Sequence, residues 1–239
     1  MLIPVYNHPD GIRIVCERLQ AYELPCLLVD DGSDQRCFEV LQELSQQYEW
    51  VQVLRFEENR GKGAAVCAAL LWANGEGYSH ALQVDADGQH DLGDVPRFLE
   101  VSRAHPEAIV TGARVADGIS ATRHYGRKLT DWLVWLQTLS VTIKDSMCGY
   151  RLYPVGPTAE LIQAHRVGQR MDFDTDILVR LWWRGVPVEQ VTTRVIYRDG
   201  IPSHFRMVKD NLYMIRMHIR LVLGMLPRAP LLLSRKFAS

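Results

Sequence analysis

Five short apolar runs mark the first half of the chain: MLIPVY at residues 1–6, PCLLVDD at 25–31, VQVLRF at 51–56, HALQVDAD at 80–87 and AIVTGAR at 108–114. Most are apolar at successive positions rather than alternate ones, the pattern of strands buried on both faces. Between them lie stretches of helical period over residues 10–22, 34–48, 61–73 and 92–104. This alternation predicts an α/β fold with a mostly parallel sheet and helices on both sides, because parallel neighbours need crossovers of that length. In such sheets a ligand binds beyond the carboxyl ends of the strands. The polar motifs of the chain follow directly on these runs.

After residue 120 the rhythm changes. Residues 122–143 read as one long helix with Trp132, Leu133, Trp135, Leu136 and Leu139 on its apolar side. KDSMCGYRLYP follows as a strand or loop, then a helix over residues 174–184 and an edge strand over 186–198. Residues 209–226 are helical in period, with Leu212, Ile215, Ile219, Val222 and Leu226 on one face and Lys209, Arg216 and Arg220 elsewhere. No repeat or linker divides the chain, so one domain with a tail is expected.

Composition narrows the function classes. The 239 residues are 47% hydrophobic and 23% charged with a net charge of -1, which argues against nucleic acid as the main partner. From residue 200 onward, however, seven Lys or Arg face the single acid Asp210, a local +6 that leaves -7 for the remainder. A basic amphipathic segment of this kind suits a membrane surface. No apolar run reaches the length of about eighteen residues that a spanning helix needs. The five cysteines form no CxxC pair and read as free thiols of a reducing compartment.

VDADGQHD, residues 84–91, places Asp85, Asp87, Gln89 and Asp91 at every second position. It is either an acidic turn or a site for a hard cation, since carboxylate and amide oxygens suit Mg²⁺ or Mn²⁺ and leave positions for substrate phosphates. VDDGSDQ, residues 29–35, ends a strand in Asp30 and Asp31, with Ser33 or Asp34 placed to cap the next helix. In NRGKGAAV, residues 59–66, the glycines permit close backbone approach and the helix start offers N–H groups to an anion. The spacing of a P-loop is absent.

The ordered set IPVYN, VDDGSDQ, NRGKGAA, VDADGQ, DSMCGYRLYP, FDTDILVRLWWRGVPVEQV and GIPSHF resembles family 2 glycosyltransferases of the GT-A fold, in the branch of dolichol-phosphate mannosyl- and glucosyltransferases. The likeness spans roughly residues 1–205. It implies a catalytic domain over that range, with a nucleotide-sugar half at 1–115 and an acceptor half at 116–205, followed by a basic amphipathic tail at 206–239. The implied reaction is inverting, metal-dependent transfer from a UDP- or GDP-sugar to a lipid-linked acceptor. The implied location is the inner face of the cytoplasmic membrane, held peripherally through the tail.

Residue by residue, the resemblance gives Pro4, Tyr6, Asp30, Asp31 and Lys62 to the nucleoside pocket, and Asp85, Asp87 and Gln89 to the metal and donor diphosphate. Arg114 and Arg127, with Arg123 as a further candidate, match positions that meet donor or acceptor phosphates. FDTDIL offers two acids. Asp174 matches the general base of relatives that glycosylate hydroxyls, or caps its helix; Asp176 matches the acidic position of polyprenyl-phosphate enzymes. A hydroxyl must lose a proton as it attacks, whereas a phosphate acceptor needs only positioning. Transfer to a hydroxyl with Asp174 as base, and a non-catalytic nucleotide-binding scaffold, are therefore the alternatives. SHF at residues 203–205 departs from the branch's Ser-Lys pair, and Met1 falls almost inside the first strand, so that residues preceding it are expected in the gene.

Overall fold

The computed structural model describes residues 1–115, 121–195 and 207–238. All five expected strands of the first half form: β1 (Leu2–Val5), β2 (Cys26–Asp30), β3 (Val51–Arg55), β4 (His80–Gln83) and β5 (Ile109–Arg114). The crossovers between them are α1 (Pro9–Leu19), α2 (Gln35–Gln47), α3 (Lys62–Gly75) and α4 (Val95–Ala104). The later chain gives α5 (Ala121–Thr138), β6 (Arg151–Pro154), α6 (Val155–Ala164), α7 (Phe173–Trp183), β7 (Val188–Thr193), α8 (Met207–Met225) and α9 (Ala229–Ala238).

The seven strands run in the order β3-β2-β1-β4-β6-β5-β7. All pairings are parallel except those of β6, which runs against β4 and β5. Its reversed direction matters for the site. The loop entering β6 reaches the same sheet edge as the carboxyl ends of the parallel strands, so residues 145–150 join the motifs there.

The strand period of two sends neighbouring residues to opposite cores. Leu2, Leu27 and Val29 face a core shared with α3, α7 and α8, while Ile3, Val5 and Leu28 face one shared with α1, α2 and α4. Helix α3 lies close to the sheet because Ala65, Ala69 and Ala73 present no bulk. As expected, Asp34 caps α2: its carboxylate accepts from Cys37 N at 2.9 Å.

Two helices escape the hydropathy pattern. Helices α6 and α9 each carry a proline, Pro157 and Pro230, which reads as a breaker yet sits in the first turn, where no intrahelical N–H bond is lost. Helix α5 is shorter than expected and faces the other way. It stops before Leu139, whose φ of 51° turns the chain back, and Trp135 Nε1 donates to Ile143 O at 2.8 Å. Its buried side is Thr130, Asp131, Val134, Gln137 and Thr138, whereas Trp132 is 57% exposed. The polar inward face is tolerated because Gln137 Nε2 reaches His218 Nδ1 of α8 at 3.0 Å.

Helix α8 packs Met217, Leu221 and Met225 into the same core as the sheet. Its opposite face carries Val208, Leu212, Ile215, Ile219 and Leu223, continued by Leu226 just past its end, all exposed. Among the described residues no helix is long and apolar enough to cross a membrane.

Candidate functional site

Of the residues singled out from the sequence, Pro4, Tyr6, Asp31, Lys62, Asp85 and Asp87 line one cavity of about 330 Å³ at the strand-end edge. That volume is at the lower end of the range for small-molecule sites. Three strand ends and the start of α3 supply these residues. Asn59, Arg170, Met171 and Asp210 complete the wall from elements far apart in sequence.

One side of the cavity is built around Asp31. Its carboxylate accepts from Arg60 N at 2.7 Å, from Gly61 N at 2.9 Å and from Asn59 Nδ2 at 2.9 Å. The loop before α3 was expected to offer its N–H groups to an anionic ligand. Those of Arg60 and Gly61 go to Asp31 instead, and Ala64 N donates to Gln169 O at 3.0 Å. Gly61 is required here: its φ is 103°, and a Cβ would stand 2.5 Å from Gln169 O. Burial raises the pKa of Asp31, opposed by the Arg60 and Gly61 hydrogen bonds.

Asp30 turns away. Its Oδ1 accepts from Ser33 N at 2.8 Å, its Oδ2 lies 3.4 Å from Arg55 Nε, and it is fully buried outside the cavity. The adjacent acids thus divide, as strand alternation demands: one braces the turn and the other walls the pocket.

The far side centres on Lys62, the first residue of α3. Its Nζ lies 2.8 Å from Asp85 Oδ1 and 3.0 Å from Asp174 Oδ2. Gln83 Nε2 points to Asp174 Oδ1 at 3.4 Å. Burial alone would lower the Lys62 pKa, yet the Asp174 and Asp85 charges outweigh it and raise it. For Asp85, burial pushes upward, but the Lys62 and His90 charges prevail and hold it well below the usual carboxylate range. Gly149 makes room for this cluster, because a Cβ there would lie 2.5 Å from Lys62 Nζ.

Asp174 is therefore not a helix cap. Asp172 occupies that position, and the Asp174 side chain is turned to Lys62 instead. Asp176 is fully buried and does not line the cavity. It accepts from Gly168 N at 2.8 Å, Arg180 Nε at 2.8 Å and Arg220 Nη2 at 3.0 Å.

A divalent cation fits this donor set only in company with a ligand. Asp85 is committed to Lys62, Gln89 is absent from the cavity wall, and among the described residues no three His, Cys, Asp or Glu side chains converge on a metal position. Asp87 faces the cavity, holds only Gln89 N at 3.0 Å, and among the described residues has no cationic partner. One carboxylate completed by substrate phosphates is a common way of binding Mg²⁺.

Arg114 and Arg127 stand off the cavity. The guanidinium of Arg114 grips Asp145 through two bonds of 2.6 and 2.8 Å, a fork-to-carboxylate geometry. Arg127 is half-buried and close enough to act electrostatically on Asp145. The side chain of Arg123 and the turn at residues 200–205 lie outside the described residues.

Several residues of the site carry no sequence signal of their own. Arg170 and Met171 follow α6 in an unremarkable loop. Arg151 could have been noticed as a charge inside an apolar strand, RLYP. Fully buried, it donates to the backbone carbonyls of Cys148 at 2.8 Å, Ser146 at 2.6 Å and Asp174, fixing the loop around Gly149 against α7.

Known proteins resemble this chain in sequence and in fold. The family model described as Glycosyl transferase family 2 matches residues 1–156. A dolichyl-phosphate beta-glucosyltransferase of Dictyostelium discoideum is 26% identical over 253 residues, covering 94% of this chain and 75% of that protein. An undecaprenyl-phosphate mannosyltransferase of Micrococcus luteus is 29% identical over 157 residues, 64% of each chain. A crystal structure of glucosyl-3-phosphoglycerate synthase from Mycobacterium tuberculosis, in complex with Mn²⁺ and uridine-diphosphate-glucose, superposes with a TM-score of 0.68 at 15% identity. That match covers 94% of this chain and 77% of the other, and the shared architecture is the GT-A fold.

Proposed function

The chain belongs to glycosyl transferase family 2, and from that premise we propose that it moves a hexosyl group from a UDP- or GDP-sugar to the phosphate of a polyprenyl-type lipid. The observation that carries the choice of acceptor is the position of Lys62 between Asp85 and Asp174. A carboxylate already engaged by an ammonium and buried to 5% exposure is poorly placed to take a proton from an incoming hydroxyl. A phosphate acceptor arrives ionised and asks for no base. The names of the relatives from Dictyostelium and Micrococcus point to the same class of acceptor.

In this reading the nucleoside lies against Pro4, Tyr6 and Asp31, with the diphosphate directed toward Lys62 and Asp87. Asp87 would hold a divalent cation together with the diphosphate, which would offset the charge that builds there as the sugar leaves. An oxygen of the lipid phosphate attacks the anomeric carbon from the side opposite the leaving group. The new C–O bond forms as the bond to the nucleoside diphosphate breaks, the electron pair leaves with the diphosphate, and no proton is transferred. The anomeric configuration inverts. In this reading Arg127, beside Asp145 and outside the cavity, meets the incoming phosphate, while Asp145 fixes Arg114.

The lipid is met at the membrane. Helix α8 shows an apolar stripe to the outside, with Ile215 and Ile219 more than half exposed. On a helical wheel Lys209, Arg216 and Arg220 all fall along one flank of that stripe. Such a helix, 19 residues and about 28 Å long, lies in an anionic interface with its apolar side down. Catalytic residues 1–205 and a tail that docks the domain on lipid are the corresponding division of labour.

Incubation of the full chain with radiolabelled UDP- or GDP-sugars, polyprenyl phosphate and Mn²⁺ tests the reading. It predicts a labelled lipid product that chelation by EDTA abolishes and that Asp87→Ala does not form. Transfer that survives both treatments unchanged would overturn the role given to Asp87.

A further inference from the structure

Helix α8 meets the nucleotide cavity at one point and its supporting structure at another. Asp210, in its first turn, is part of the cavity wall. Arg220, two to three turns further on, donates from Nη2 to Asp176 Oδ2 at 3.0 Å. The same oxygen accepts from Gly168 N at 2.8 Å. Gly168 opens the segment whose Gln169 O receives Ala64 N at the start of α3, and whose Arg170 Nη1 donates to Asn59 Oδ1 at 3.2 Å. Asn59 in turn holds Asp31, and Arg170 and Met171 wall the cavity. Continuous polar contacts therefore run from the outer flank of α8 to the nucleoside side of the pocket.

The two partners of the Arg220–Asp176 pair differ in exposure. Asp176 is fully buried, while the side chain of Arg220 is 43% exposed and belongs to the basic flank beside the apolar stripe. In water the exposed half of the guanidinium is solvated and its bond to Asp176 is weakened by the high dielectric. At a bilayer surface that half loses water, and the ion pair strengthens. Anionic headgroups need not displace Asp176, because a guanidinium has five N–H donors and a lipid phosphate takes those that remain.

We infer that Arg220 and Asp176 are positioning residues that couple the membrane seat of α8 to the nucleotide pocket, so that an anionic bilayer tightens binding of the nucleoside diphosphate. The inference rests on the membrane placement proposed above and adds regulation to it. A seated α8 holds Gly168 and the segment through Met171 against the start of α3. With α8 unseated the Arg220 bond persists but is weaker, and Asp176 depends more on Arg180 and Gly168.

The test is calorimetric titration of the full chain with UDP and with GDP in Mn²⁺, in the absence and presence of phosphatidylglycerol–phosphatidylcholine vesicles. Cosedimentation with the same vesicles is measured in parallel. For the nucleotide that binds, vesicles are expected to lower Kd by about fivefold or more. Arg220→Gln should still cosediment yet show a change below about twofold, with Arg220→Lys recovering part of the effect. The double variant Ile215→Asp, Ile219→Asp leaves Arg220 in place, abolishes cosedimentation and should lose the tightening too. Vesicle binding with an unchanged Kd overturns the coupling and leaves the membrane placement standing, as does full tightening in Arg220→Gln. Absence of vesicle binding by the unaltered chain removes both, while nucleotide binding itself would still support the transferase reading.

Discussion

Lys62 Nζ stands 3.0 Å from Asp174 Oδ2, joining the first turn of α3 to the first turn of α7 across the mouth of the sheet. With Asp85 on its other side, this ammonium is shared by the buried Asp174 and the half-buried Asp85. Replacing it by methionine keeps the stem and removes the charge. Breaking a buried pair from one side costs about 3 kcal/mol, since the partner is left buried and unpaired. Lys62→Met should lower unfolding stability by an amount of that order in denaturant melts and abolish transfer. Asp87→Ala, by contrast, should abolish transfer while leaving the melt nearly unchanged.

The neighbouring acids Asp30 and Asp31 predict opposite phenotypes. Asp30 braces Ser33 and Arg55 outside the cavity, and Asp31 forms its wall. Asp30→Asn should cost about 1–3 kcal/mol of stability with nucleotide affinity kept. Asp31→Asn should weaken nucleotide binding by about tenfold, the loss expected for one good polar contact. Calorimetric titration beside chemical denaturation of both variants separates the roles.

Gly149 tests the crowding around Lys62. A methyl group there would fall 2.5 Å from Lys62 Nζ and 2.9 Å from Asp85 Oδ2. The backbone cannot retreat, because Arg151 holds the carbonyl of Cys148. Gly149→Ala should displace the ammonium and lower transfer, less completely than Lys62→Met, which assays of the two variants side by side check.

Asp131 gives a pH signature. Burial, together with the Asp145 charge, raises its pKa to about 6. A carboxyl with a raised folded-state pKa favours the protonated form, so it withdraws stability as pH climbs from about 4 to about 6 and has no further effect above that. Asp131→Asn should therefore be more stable than the parent at pH 7.5, by about 2 kcal/mol, and nearly equal to it at pH 3.5. Thermal melts across that range decide the point.

The sheet and its crossovers were legible because LIPV, CLLVD and their counterparts are apolar on both faces and α1, α2 and α4 are strongly periodic, while α3 is apolar nearly all round. The six cavity residues Pro4, Tyr6, Asp31, Lys62, Asp85 and Asp87 were named by the family resemblance, and their motifs, three at strand ends and one at the start of α3, meet on one edge of the sheet. Asp30 was not distinguishable from Asp31, since a one-residue step reverses facing and only the turn geometry decides which acid enters the pocket. The Lys62–Asp174 pair joins residues 112 positions apart, a relation that no local pattern encodes. The inverted face of α5 has a physical cause as well. Hydrophobicity places Trp132 and Leu136 inward, but the polar face of Gln137 and Thr138 is the one that finds partners, in His218 and in the Val134 carbonyl.

In the proposed function Asp174 serves as the counter-ion of Lys62, and the acceptor consequently brings its own negative charge. The most direct measurement offers the enzyme polyprenyl phosphate and the matching polyprenol, identical in chain and differing only in phosphate against hydroxyl, under the same donor and Mn²⁺. Glycosylated product from the phosphate alone is the predicted result. Product from the polyprenol at a comparable rate, lost in Asp174→Asn, would contradict the account and make Asp174 a base.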